Sequence, residues 1–268
     1  MGIKEDFTNG KSFRYTHREL EAGDLYFVSN RLKTSETGTC TFRATGKSVT
    51  LLNPLNGLEY AANIISSDDK TTTLKIQLEP EGSIFVLFDQ STTKVRKLPE
   101  LNPELLIAKE IDTPWNVRFN PRFGGPSNRT FNQLMDWSSS SENEIKYYSG
   151  TAKYTTKITL TASEIEGRTF LDLGIVEVIA GVKINGKNLG VVWKTPYKIE
   201  TTGVLKTGNN TIEIEVANLW GNRLIGDQLL PENKRYTWTN FNPYKGTDKL
   251  FPSGLIGPAV IKKTKSIS

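Results

Sequence analysis

The residues best suited to chemistry gather late in the chain. The run Asn218-Leu219-Trp220-Gly221-Asn222-Arg223-Leu224-Ile225-Gly226-Asp227 combines an aromatic ring, amides and an Arg/Asp pair. Arg235, Trp238, Asn240, Tyr244 and Lys245 follow it. Aromatic faces stack on the apolar C–H face of a pyranose, and planar polar side chains grip its hydroxyls. The candidate carbohydrate-binding set is therefore Trp220, Asn222, Arg223, Asp227, Arg235, Trp238 and Tyr244. A purely architectural role stays open for three of them, with Trp220 as a core plug and Arg223 and Asp227 as a buried ion pair. Trp193 lies in an apolar strand and is expected in the core, while Trp115 and Trp137 are undecided.

Other chemistries are poorly served. His17 is the sole histidine, so a His-based zinc site is excluded. A Ser-His-Asp triad would have to use it, yet it sits in strand-like sequence and is expected as a strand or edge residue. Cys40 is the only cysteine, which rules out an internal disulfide and a cysteine cluster. It lies in an alternating segment and is expected to be packed rather than reactive. There is no Walker loop and no GxGxxG after a strand. Glycoside hydrolysis needs two carboxylates about 5 to 9.5 Å apart. Glu142 and Glu144 are neighbours but lie in a polar run that reads as solvated surface.

The elements that must position these residues read as strands. The 268 residues carry 37% hydrophobic and 24% charged side chains, with 22 Gly and 12 Pro. That composition supports a packed core built from short strands and turns. Asp24–Ser29, Cys40–Thr45, Ser48–Leu52, Leu58–Ala61, Thr71–Leu78 and Ser83–Phe88 alternate or are β-rich. Pro99 and Pro103 bracket a poorly periodic stretch, and a linker is expected over residues 96–109. Beyond it, Trp115–Phe119, Gly150–Leu160, Phe170–Leu173, Val176–Ile184, Leu189–Trp193 and Thr211–Val216 read as strands. Thr130–Ser141 is expected to hold a short helix, and Leu255–Ile261 a closing strand. Asn185-Gly186 predicts a type I′ hairpin, because both central residues of that turn need positive φ. Asn218–Pro252 has no clear period, but its Trp, Tyr and Arg content argues against disorder.

The net charge of +5 is mild, and part of it comes from Lys262, Lys263 and Lys265. No basic face or helix of the kind that binds nucleic acid is visible. Apolar runs are too short to span a bilayer. The start, MGIKEDFTNG, lacks the apolar region of a signal peptide.

Three stretches together carry a resemblance: KYYSGTAKY, LGIVEVIAGVKINGKNLGVVWKTPYKIE and NLWGNRLIGDQLLPENKRYTWTNFNPY. With the closing SGLIGPAVI and the early HRELEAGDLYFVSNR, CTFRATGK and EPEGSIFVLFD, they resemble the C-terminal β-sandwich region of glycoside hydrolase family 106, the α-L-rhamnosidases. The later part is also similar to the sugar-binding jelly roll of family 2 and to galactose-binding-like domains. The resemblance implies an all-β chain of two β-sandwich domains. They are an immunoglobulin-like one over residues 1–95 and a galactose-binding-like jelly roll over residues 110–268. It implies a parent enzyme with an N-terminal catalytic barrel, and a chain that begins where that barrel ends. No catalytic residue is carried over, and this chain alone is expected to be non-catalytic. The expected partners are carbohydrate, rhamnose-containing plant polysaccharide in particular, and the parent's catalytic domain, in a secreted or periplasmic setting. No cofactor is expected, with a structural calcium left open. Two rival readings remain: a self-contained glycoside hydrolase with its own carboxylate pair, and a structural or adhesive surface protein.

Overall fold

The computed structural model describes residues 5–90 and 98–265. The chain forms two compact units, Met1–Pro103 and Glu104–Ser268. Both are built almost wholly of antiparallel strands, and the fold is an all-β sandwich type as the sequence predicts.

The first unit holds β1 (Phe7–Asn9), β2 (Arg14–Leu20), β3 (Gly23–Ser29), β4 (Glu36–Phe42), β5 (Ser48–Leu52), β6 (Glu59–Ala61), β7 (Asn63–Ser67), β8 (Thr72–Leu78) and β9 (Ser83–Asp89). They form two sheets, β1-β4-β8-β7 and β2-β3-β9-β5-β6. Period-two alternation turns Cys40, Phe42, Leu74, Ile76 and Leu78 inward from one sheet and Tyr26, Val28, Ile84, Val86 and Phe88 from the other. Those residues form one core. Cys40 is buried within it, and burial pushes its thiol up to about 12, so it packs rather than reacts.

The second unit opens with β10 (Leu105–Glu110), β11 (Trp115–Arg118), β12 (Arg129–Phe131), α1 (Asn143–Lys146), β13 (Thr151–Leu160), β14 (Thr169–Asp172) and β15 (Ile175–Glu177). It continues with β16 (Ile179–Ile184), β17 (Lys187–Val192), β18 (Lys198–Glu200), β19 (Gly208–Ala217), α2 (Gly221–Asp227), β20 (Gly254–Gly257) and β21 (Val260–Thr264). A six-stranded sheet, β12-β11-β13-β19-β16-β17, and a four-stranded one, β10-β21-β14-β18, share a core with the β15-β20 pair. The Asn185-Gly186 turn closes the β16–β17 hairpin with φ of 51° and 84°, as its dipeptide predicts.

Several expectations need correction. The division between the two units falls inside the stretch expected as linker, but the end of that stretch is a strand. Leu101 packs on the first core, and Asn102 donates to the Gln77 carbonyl. Leu105–Glu110 pairs with β21, and its half-exposed edge position explains the weak period. Residues 96 and 97 lie outside the described residues. The Thr130–Ser141 helix is replaced by the end of β12 and a single 3-10 turn over Trp137–Ser139. The closing strand is two strands, because Pro258 has no N–H to donate between β20 and β21. Trp193 is not core: it follows β17 and is 57% exposed. Trp115 and Trp137 are fully buried.

Trp137 matters for the site. Its Nε1 donates to the Tyr154 hydroxyl at 2.5 Å, and the two rings lie 8° from parallel. Tyr154 in turn accepts from the Leu255 backbone N–H. Gly254 passes directly over the indole. Its φ is +93°, and a Cβ there would lie 2.5 Å from the ring, so only glycine lets the backbone through. This contact fixes the neighbouring Ser253.

Candidate functional site

Helix α2 anchors the loop that carries the predicted site residues. Arg223 and Asp227 sit one helical turn apart, with Arg223 Nε 3.0 Å from Asp227 Oδ1. Both are about 3% exposed. The Asp227 carboxylate also accepts from the Tyr236 N–H, the Thr237 N–H and the Thr237 hydroxyl. The Tyr236 ring lies 4.9 Å from the Arg223 guanidinium. Burial lowers the pKa of Arg223, and Asp227 opposes that shift. Asn222 is equally buried. It accepts from Phe251 N–H and donates to the Phe251 carbonyl and the Ser253 hydroxyl. Asn242 donates to the Leu224 carbonyl. The aperiodic 218–252 stretch is thus held by polar side chains reaching from α2 rather than by ladders.

This divides the predicted set. Asn222, Arg223 and Asp227 face inward: Asn222 and Asp227 are hydrogen-bonded within the protein, and Arg223 pairs with Asp227 by charge although its Nε makes no aligned hydrogen bond, so the three shape the loop and do not present to solvent. The exposed members are Trp220, at 42%, Trp238, at 88%, and Arg235, which donates to the Leu230 carbonyl. Trp220 stands edge-on to Phe123, and Tyr244 packs edge-on to Phe251.

A cavity of about 100 Å³ opens beside this loop instead, lined by Glu177, Val178, Asn218, Leu219, Asn222, Phe251, Pro252 and Ser253. Glu177 ends β15, opposite Gly254, so the strand pairing delivers it to the cavity wall. Burial pushes its carboxyl above the usual range, and the Asp136 charge acts in the same direction. Among the described residues it has no hydrogen-bond or ion-pair partner. Asp136, by contrast, accepts from the N–H groups of Ser138 and Ser253. Asn218 is also engaged, accepting from Gly150 N–H and donating to the Tyr148 carbonyl. Sequence reasoning missed Glu177. The available signal was a single charge inside the apolar run Ile175-Val176-Glu177-Val178-Ile179.

The acid pair and the histidine weighed from the sequence have partners of their own. Arg129 bridges Glu142 and Glu144 on the surface. His17 lies between Asp6 and Asp24, at 3.1 and 2.8 Å, so neither ring nitrogen serves a serine. Among the described residues no cluster of three His, Cys, Asp or Glu could hold a metal ion.

No family model matches the chain. A solved rhamnosidase from Novosphingobium sp. PP1Y superposes on 97% of it with a TM-score of 0.88 and 31% identity. A Formosa agariphila protein with a provisional β-glucuronidase name is 35% identical over 172 residues, 55% of this chain. The chain spans 25% of the length of the first and 15% of the second. It is a β-sandwich protein related to glycoside hydrolases.

Proposed function

We propose that this chain is a non-catalytic accessory region of an α-L-rhamnosidase of glycoside hydrolase family 106, buttressing the catalytic barrel and meeting carbohydrate through its second sandwich. The first unit reads as the immunoglobulin-like domain and the second as the galactose-binding-like jelly roll. One observation carries the reading: nearly the whole chain superposes on about a quarter of a rhamnosidase. The acids add support. Hydrolysis needs two carboxylates across the scissile bond, whereas Asp136, the acid acting on Glu177, holds the Ser138 and Ser253 backbone through one of its oxygens. The parent acts where plant polysaccharide is met, in a secreted or periplasmic setting.

Turnover tests this directly. The purified chain, given an aryl α-L-rhamnoside, is expected to release no phenol above the uncatalysed rate. Release that disappears in Glu177→Gln would replace this reading with a self-contained hydrolase.

A further inference from the structure

We propose that the Glu177 cavity is a subsite for one edge of a neutral pyranose, with two adjacent sugar hydroxyls donating to the two carboxylate oxygens. This rests on the carbohydrate reading above and adds the class of sugar and the residue that selects it.

The cavity wall holds an acid that no described neighbour serves. A half-buried carboxylate without donors is costly to keep, and Glu177 has none among the described residues. Neither neighbouring amide donates to it: Asn222 commits both N–H groups to Phe251 and Ser253, and Asn218 directs one of its two to the Tyr148 carbonyl. Water meets the carboxylate in the free chain, and a ligand that displaces that water must bring donors of its own. Ser253 adds one more group: its hydroxyl accepts from Asn222 and keeps its own proton to donate. An acceptor pair beside a single donor suits a vicinal diol.

The remaining walls set the body of the ligand. Leu219 and Phe251 line the cavity and are both exposed. They offer an apolar surface to a pyranose C–H face or methyl group. At about 100 Å³ the cavity is well below the ~300–1,000 Å³ of sites that enclose a whole ligand. It takes an edge of one ring, which implies weak binding.

Charge decides between neutral and acidic sugars. Asp136 acts on Glu177 and has the same sign. A uronic acid would bring a further negative charge against this wall, so the cavity rejects uronates and accepts their neutral counterparts.

The test is a titration of the full chain at neutral pH, followed by amide NMR, with methyl α-L-rhamnopyranoside and methyl β-D-glucuronide. We expect saturable shifts at Glu177, Val178 and Leu219 with millimolar rhamnoside, and binding at least ten-fold weaker for the glucuronide. Glu177→Gln should weaken the rhamnoside at least ten-fold while melting no lower than the parent chain, which separates lost binding from lost folding. Leu219→Ala should weaken it several-fold. Equal binding by the Gln variant, tighter binding of the glucuronide, or no shift at these amides would overturn the proposal. So would shifts produced by guanidinium and not by sugar, which would assign the cavity to a cationic side chain of another protein. None of these results bears on turnover, so the accessory reading and the subsite fail separately.

Discussion

In the first sandwich, His17 is enclosed by two carboxylates and stacked on Tyr26 at 4.0 Å. In the second, Glu177 lines a cavity and accepts a hydrogen bond from no described residue. The two clusters use similar side chains to opposite ends. Around His17 the network closes: Asp6 also takes the Tyr26 hydroxyl and an Arg43 N–H. Arg223 and Asp227 form a second buried cluster, in which Asp227 takes three donors from Tyr236 and Thr237. A closed network fixes the backbone and asks nothing of solvent. An open carboxylate is a local cost that a ligand can relieve, and such groups mark sites.

The contrast can be broken by mutation, and the closed clusters should give the largest effects. Asp227→Ala leaves Arg223 buried without its partner and frees the 236–237 turn. We expect a loss of about 3–5 kcal/mol in urea unfolding, and a loss under about 1 kcal/mol would mean the pair is not structural. His17→Phe removes the polar ring that stands between two carboxylates and should cost about 1–3 kcal/mol in the same measurement.

The Arg168–Glu200 fork gives a pH signature. Nε and a terminal nitrogen of Arg168 donate to the two Glu200 oxygens at 3.0 and 2.8 Å. The Arg168 bond holds the Glu200 carboxyl below its ordinary range, with Thr202 helping against desolvation. A depressed folded pKa contributes stability above the ordinary value and loses it as pH falls through the depressed one. Glu200→Gln should therefore cost about 1 kcal/mol at pH 7, and the gap to the parent chain should close in acid melts. Glu177 has the reverse sign. Its raised carboxyl costs stability above the folded pKa, and the cost disappears as pH falls below the ordinary value. Glu177→Gln should thus stabilise the chain at pH 7 by less than about 1 kcal/mol, with the gain fading in acid. A destabilised variant would show that the carboxylate has a partner after all. The smallest effect is expected for Trp238→Ala, within about 0.5 kcal/mol, because the ring is almost wholly exposed.

The same contrast explains how much the sequence disclosed. Alternating strands such as Thr72–Leu78 and Gly208–Ala217 were legible because one face is core and the other is not. β7 was not read as a strand: its residues are all exposed, so no period marks it. The Asn185-Gly186 turn is local backbone chemistry and was legible in two letters. The role of Asn222 was not, because its partners at Phe251 and Ser253 are set by tertiary folding. Arg223 and Asp227 were seen as either a ligand grip or an ion pair, and burial decides for the pair. Glu177 stayed hidden because its meaning lies in a missing partner, which no sequence displays.

The most direct test of the account is a crystal of this chain soaked in methyl α-L-rhamnopyranoside. The account predicts the sugar at the 177–253 cavity, with two adjacent hydroxyls within hydrogen-bond distance of the Glu177 carboxylate. A sugar stacked on Trp238 with the cavity empty, or a sugar held by Arg235, would contradict it.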